Sequence, residues 1–321
     1  MQKPPFASIK KEIDRAKHIL VCAHVNPDPD AVGSVLSLGV LLVQRGATVS
    51  FFITGFRAER YAGVPEISRI KTSIPRRKVD LVIGLDYGRM QRLEIDALIA
   101  RDHPRILTID HHPHQDQQGS VVWVDASKSS VSEMVYDLAK GLHWPLFDSV
   151  PFSILFGIIG DTVGLSTPGV THQLLAKVAD LMRRGASLEK AQSIRQEISS
   201  LPLLKLSAKA IARAKVDFRE EFAYAWITMK EWKSAGVEPS SFTGIANDLK
   251  LVRGIKVSLV LAEHAKKWYG HLRSRADCAV DLGKVAEAFG GGGHTHAAGF
   301  TSTRSRAAII KKVRALLKRG S

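Results

Sequence analysis

Cysteine is scarce in this chain. Cys22 and Cys278 are the only two among 321 residues and lie far apart in the sequence. A disulfide scaffold is thereby excluded, and a reducing cytoplasm is the expected setting. Long apolar runs are missing too, and none approaches the length needed to span a bilayer. The N-terminal Met-Gln-Lys-Pro-Pro-Phe lacks the apolar centre of a signal peptide. The chain therefore reads as soluble. There is no low-complexity tract, no long linker and no internal repeat. What remains is an ordinary globular composition, 45% hydrophobic and 24% charged. Single cores rarely grow beyond roughly 250–300 residues, so this length implies two domains.

Acidic charge is short in one part only. Residues 1–204 hold 24 Lys and Arg against 21 Asp and Glu, whereas residues 205–321 hold 22 against 10. A C-terminal excess of twelve positive charges suits a polyanionic substrate. It also suits a plain solvated surface, and charge alone does not choose.

Apolar runs recur at 19–23, 49–53, 79–85, 105–109 and 120–124, alternating with helical patterns such as 31–44, 91–100 and 130–142. That alternation predicts a mostly parallel sheet covered on both faces. Helical patterns then follow one another at 151–159, 171–184, 187–198 and 203–214. Strand patterns return at 222–228, 257–262 and 268–273, with helices at 280–289 and 305–318. The expected architecture is α/β: an N-terminal catalytic domain over 1–184, a helical connector over 185–217 and a smaller α/β substrate-binding domain over 218–321. The helical region between the domains also offers apolar surface enough for a homodimer.

The chemistry gathers where apolar runs end. After Ile19–Ala23 comes His24-Val-Asn-Pro-Asp28-Pro-Asp30, one imidazole and two carboxylates within seven residues. Open α/β sheets place their sites at the carboxyl ends of strands. Carboxylates crowded there repel one another unless a cation or protons compensate them. Asp86 ends the next such run, Asp110-His111-His112-Pro113 ends another, and Asp161 closes an apolar helix at what reads as a glycine break. A lone Asp at such a place more often caps a helix. Four clusters on one rim instead predict that His24, Asp28, Asp30, Asp86, His111 and Asp161 converge. Mixed Asp and His donors without cysteine favour manganese, with magnesium, iron or cobalt as substitutes, over a structural zinc. His103, His114, His143, His172, His264 and His271 belong to no cluster and read as surface or packing residues.

Near the C-terminus, Gly290-Gly-Gly-Gly-His294 can bring backbone N–H groups close to an anion, because no Cβ blocks the approach. Arg273 and Arg275 lie shortly before, with guanidinium forks suited to phosphate. Anion binding by Arg273, Arg275, Gly291, Gly292, Gly293 and His294 is the expectation; the bland alternative is a flexible glycine loop beside surface arginines.

The four ordered motifs and the GGGGHTHAAG run resemble the DHH phosphoesterase superfamily with its DHH-associated C-terminal domain, and most of all its NrnA-like subgroup. The resemblance covers residues from about 18 to 300. It implies two Mn2+ ions, with Mg2+ or Co2+ as substitutes. His24, Asp28 and Asp86 would hold one, and Asp30, Asp86, His111 and Asp161 the other, with Asp86 bridging. It further implies that Asp110 orients a ligand histidine and that His112 faces the substrate phosphate. The implied substrates are short RNA or DNA oligonucleotides, linear dinucleotides such as pApA or pGpG, and phosphoadenosine phosphate. A RecJ-like exonuclease acting on longer single strands is the alternative. Leu165 stands where the family carries an aromatic residue, and Pro29 separates the first two aspartates.

Overall fold

The computed structural model describes residues 4–112, 118–196, 200–237 and 244–319, with the backbone alone for Gln196, His294 and Arg319. Pro113 and His114, and the end of the helical pattern at 187–198 from residue 197 on, lie outside the described residues. The chain divides into two compact units, Met1–Ile198 and Ser199–Ser321.

In the first unit the order is α1 (Phe6–Asp14), β1 (Ile19–Ala23), α2 (Pro29–Gln44), β2 (Val49–Phe52), β3 (Ile70–Lys71), β4 (Leu81–Leu85), α3 (Asp96–Asp102), β5 (Arg105–Asp110), β6 (Val121–Val124), α4 (Val131–Gly141), α5 (Val150–Asp161), α6 (His172–Arg183) and α7 (Leu188–Gln196). The six strands form one sheet in the order β3-β2-β1-β4-β5-β6, every pair parallel. All five residues of β1 and all five of β4 are buried, which is why these strands read as unbroken apolar runs. Alternate side chains serve different cores. Ile19, Val21 and Ala23 join the core built with α2, α4 and α5, while Leu20 and Cys22 join the one containing Leu98 of α3. The strand order reverses between β1 and β4, so the crevice beyond their carboxyl ends is where ligands are bound in such sheets.

Helices α2 and α5 cross backbone against backbone. A Cβ on Gly33 would lie 2.5 Å from the Ser153 carbonyl, and one on Gly160 would lie 2.6 Å from Pro29 Cβ. Residue numbers rise along one helix as they fall along the other, so the pair is antiparallel. The N-terminus of α2 therefore meets the C-terminus of α5. Gly160 is not a break in the helix, as the sequence suggested. It lies within α5 and admits Pro29.

The second unit contains α8 (Leu201–Ala212), β7 (Lys215–Asp217), β8 (Phe222–Ile227), α9 (Met229–Ala235), α10 (Gly244–Lys250), β9 (Val257–His264), β10 (Lys267–Ser274), α11 (Leu282–Glu287), β11 (Gly292–His294), β12 (Ala297–Ser302) and α12 (Arg306–Arg319). Its sheet runs β11-β12-β10-β9-β8-β7; the β8–β9 pair is parallel and the others antiparallel. One face packs on α11 and α12, the other on α8, α9 and α10.

The segment expected to connect the domains is shared between them. Ala191 and Ile194 of α7 pack in the first unit's core, whereas Leu203, Leu206 and Ala210 of α8 pack in the second's. Both cysteines are buried and unpaired, and burial pushes the Cys22 thiol up to about 12. No helix among the described residues is long and apolar enough to cross a membrane.

Candidate metal centre

His24 follows β1, Asp86 follows β4, and Asp110 through His112 end β5, on both sides of the switch point. Asp28 and Asp30 stand at the start of α2, and Asp161 ends α5, which the close α2–α5 crossing brings to the same place. Three groups form there: His24–Asp28–Asp86, Asp30–His111–Asp161 and Asp86–His111–His112. Within each, one donor atom per residue lies within 4.8 Å of the others, as a shared cation would need. All six residues expected to converge are in these groups.

Asp86 joins the groups. Its Oδ2 is 3.7 Å from His24 Nε2, and its Oδ1 is 3.5 Å from both His111 Nε2 and His112 Nδ1. Its backbone is left-handed at φ 53, a conformation that costs a non-glycine residue about 1–3 kcal/mol. Oδ1 is buried and makes no hydrogen bond of proper geometry. A buried carboxylate oxygen left unsatisfied is expensive, and a cation would satisfy it.

The remaining donors are aimed by local contacts. Asp28 caps α2, accepting from Ala31 N–H at 3.0 Å through Oδ1, while its Oδ2 lies 3.6 Å from His24 Nε2. The capping reading of Asp28 and the ligand reading thus hold together. His24 Nδ1 donates to the Val25 carbonyl at 2.9 Å, which leaves Nε2 to face the carboxylates. His111 Nδ1 donates to the Lys128 carbonyl at 3.2 Å, and its Nε2 lies 3.2 Å from Asp161 Oδ2. Asp30, fully buried, accepts from Val131 N–H at 2.6 Å and Ser132 N–H at 2.9 Å.

Asp110 orients a histidine, but that histidine is His112. Asp110 Oδ1 accepts from His112 Nδ1 at 2.7 Å and from its backbone N–H at 3.0 Å. Asp110 Oδ2 accepts from Tyr87 N–H at 3.1 Å and Gly88 N–H at 2.8 Å. Burial would push the Asp110 carboxyl up, but His112 and the amides outweigh it and hold it below the ordinary carboxylate range.

Electrostatically the cluster is short of positive charge. Burial and the charge of Asp86 push Asp30 up to about 7. Burial and the neighbouring Asp30 and Asp28 push Asp161 well above its usual range. Burial works against protonated His24 and His111, but the surrounding carboxylates win and raise both. A divalent cation would compensate this crowding of carboxylates. The all-oxygen-and-imidazole donor set, the orphaned Asp86 oxygen and this crowding fit Mn2+ or Mg2+.

The second unit holds the opposite arrangement. Arg273 is half-buried on β10; its described hydrogen bond is to the neighbouring Leu272 carbonyl, 2.8 Å away. Burial lowers its pKa, and burial with the Arg273 charge lowers that of Lys250. His271, two residues along the same strand, is pushed down to about 4 by burial and by Arg273. The sequence marks it only as a surface or packing residue, yet its side chain shares a face of β10 with Arg273. Arg275, in the turn that follows, is exposed and pairs with Asp277 at 3.2 Å.

The glycine run is not a flexible loop. Gly292–His294 form an edge strand paired with β12, and a Cβ on Gly293 would come within 2.5 Å of the Ala297 carbonyl. A Cβ on Gly292 would meet nothing, so the strand is open at that position. The backbone of His294 ends β11; its side chain lies outside the described residues.

Sequence reasoning missed Lys128 through Glu133, which supply the carbonyl to His111 and the amides to Asp30. A signal was present: Ser130-Val-Ser-Glu133 has the spacing of a helix capping box.

Residues 18–153 match the DHH family, N-terminal domain, and residues 220–319 match the DHHA1 domain. The chain thus contains a DHH N-terminal domain within its first unit and a DHHA1 domain within its second. Among individual proteins it is similar to the bifunctional oligoribonuclease and PAP phosphatase NrnA of Bacillus subtilis, at 26% identity over 88% of this chain and 88% of that one. An exopolyphosphatase-related protein from Bacteroides fragilis has the same fold, with a TM-score of 0.87 at 21% identity, covering 98% of this chain and 95% of that one. RecJ from Thermus thermophilus, crystallised with Mn2+, gives a TM-score of 0.59 at 18% identity. This chain is covered to 98% in that comparison but spans only 54% of RecJ.

Proposed function

We propose that this protein is a manganese-dependent phosphoesterase that hydrolyses short oligonucleotides to mononucleotides. RNA of a few residues, linear dinucleotides such as pApA and pGpG, and phosphoadenosine phosphate are its substrates. The observation that carries the reading is Asp86, whose two oxygens face two different donor groups while one of them lacks a hydrogen bond. On this reading His24, Asp28 and Asp86 hold one ion. Asp30, His111 and Asp161 hold the other, with Asp86 shared.

Bound there, a pair of divalent cations lowers the pKa of water and neutralises charge on the phosphoryl oxygens. The protein's own residues do the rest. The Val25 and Lys128 carbonyls fix the tautomers of His24 and His111, so that Nε2 of each is the donor atom. Asp110 fixes His112, which we assign to the substrate phosphate as charge stabiliser or proton donor. In the second unit Arg273, Arg275, His294 and the glycines Gly291, Gly292 and Gly293, where the backbone is open at Gly292, bind the anionic remainder of the substrate. The Bacillus subtilis relative's name supports both the oligonucleotide and the phosphoadenosine phosphate assignments.

A second reading, exonuclease action on long single strands, is favoured by the excess of twelve positive charges over residues 205–321. Cleavage of 5′-labelled RNA and DNA ladders in Mn2+, from dinucleotides to strands of about two dozen residues, separates the two. A steep preference for the shortest substrates supports the proposal. Equal or faster cleavage of long strands, with binding that weakens steeply as salt rises, supports the second reading.

A further inference from the structure

The six residues from Lys128 to Glu133 touch two of the six donors and do so almost wholly with backbone. The Lys128 carbonyl accepts from His111 Nδ1 at 3.2 Å, and a carbonyl can only accept, so the proton sits on Nδ1 and Nε2 is left basic. Three residues on, the first amides of α4, Val131 N–H and Ser132 N–H, donate to the two oxygens of Asp30 at 2.6 and 2.9 Å. Those amides are ones a helix start leaves without intrahelical partners, and they favour a negative charge there. No described hydrogen bond from this segment reaches His24, Asp28 or Asp86.

The segment is locked from behind. Ser130 caps α4, its Oγ accepting from Glu133 N–H at 3.0 Å. Glu133 Oε2 reaches back to Ser129, accepting from its N–H at 2.8 Å and its hydroxyl at 2.9 Å. Its other oxygen accepts from Lys177 Nζ at 2.7 Å. Lys177 also binds Asp137, and Asp137 in turn holds Lys128 Nζ at 2.7 Å. Glu133 is 6% exposed, so these bonds are made out of competition with solvent. Glu133, Lys177 and Asp137 therefore fix both ends of the segment that orients Asp30 and His111.

From this we infer that Lys128–Glu133 is a clamp that preorganises one cation position, the one built from Asp30, His111 and Asp161, and leaves the position built from His24 and Asp28 unaided. The inference rests on the two-cation reading above. Glu133 is in this sense a positioning residue: it touches neither substrate nor ion. Loosening it costs one ion and spares the other.

The test is Mn2+ binding to metal-free protein by calorimetry, with electron paramagnetic resonance of the loaded samples to detect coupled Mn2+ pairs. Wild type takes two ions and shows the coupled signal. Glu133→Ala keeps one site at wild-type affinity and weakens the other by about 10–100-fold, as loss of an outer hydrogen-bond partner to a ligand does. Its coupled signal disappears at sub-saturating Mn2+ and returns at high Mn2+. Glu133→Gln lies between. Ser129→Ala, a smaller change that leaves the ion pairs intact, shifts the same site in the same direction and serves if Glu133→Ala loses its circular dichroism. Folded Glu133→Ala with two sites at wild-type affinity overturns the clamp while leaving the two-cation reading standing. Wild type that takes fewer than two ions overturns both.

Discussion

The two units are opposite electrostatic problems. In the first, carboxylates are packed so closely that Asp30 and Asp161 are pushed up and His24 and His111 hold their protons more tightly. In the second, burial presses Arg273 down, and burial with the Arg273 charge presses Lys250 and His271 down. On the proposed reading the first would take a cation and the second an anion, the two charges that hydrolysis of a phosphoester would use. Neither arrangement serves stability, since buried like charges cost the fold. Each makes sense as a site whose missing counter-charge is a ligand.

The largest break in this contrast is Asp86→Ala. Both donor groups facing Asp86 lose their shared carboxylate, and hydrolysis of a dinucleotide in Mn2+ falls to background while circular dichroism is kept. Next comes Arg273→Ala. Losing a charged hydrogen-bond donor raises KM by about 10–100-fold. Arg273→Lys recovers little of it, because an ammonium cannot reproduce the guanidinium fork. Steady-state kinetics on a dinucleotide check both.

A smaller effect tests how the acids are brought together. Gly160→Ala puts a methyl 2.6 Å from Pro29 Cβ. Overpacking of this kind lowers stability by about 1–3 kcal/mol. Adding Pro29→Gly removes the obstacle, so the double variant recovers part of the loss in denaturant melts, a non-additive pair.

The smallest effects are in pH, and they carry opposite signs. Asp30 is raised from the usual carboxylate value, so the metal-free fold binds a proton the unfolded chain has released. Its stability falls as pH rises from about 4 towards 7. Raised His24 and His111 add to the fall as pH climbs through their folded values. Mn2+ replaces those protons, so the stabilisation it gives grows with pH. His271 acts the other way. Lowered to about 4, it binds fewer protons folded than unfolded, and stability falls as pH drops from about 6.5 towards 4. The two overlap between about pH 4 and 6.5, so calorimetric melts of metal-free wild type and His271→Gln across that range separate them. His271→Gln removes the opposing contribution and steepens the fall in stability with rising pH.

Much of the first unit was legible because parallel strands buried on both faces must be apolar throughout, and β1 and β4 are. The six clustered residues were legible because four acid- or histidine-bearing segments fall on one rim of the sheet, where any single Asp would more often cap a helix. Other features left weaker traces. Strand β11 is made largely of glycine, which has no side chain to alternate, and so gave no strand pattern. Helices α9 and α10, seven residues each, are too short for a convincing period. The partition of α7 and α8 between the units depends on which core their apolar faces meet, and period alone does not say. Asp110 and its two following histidines gave the right cluster but not which ring the carboxylate holds. The Lys128–Ser132 contacts use backbone amides and a carbonyl, which every residue possesses. Only the Ser130 to Glu133 spacing hinted at them.

The central claim is that Asp86 ties two donor groups into one two-cation centre. Equilibrium Mn2+ binding to wild type and to Asp86→Ala tests it most directly. The account predicts two ions per chain in wild type and weakened binding at both positions in the variant. A variant that keeps one position at full affinity, or a wild type that takes a single ion, would contradict it.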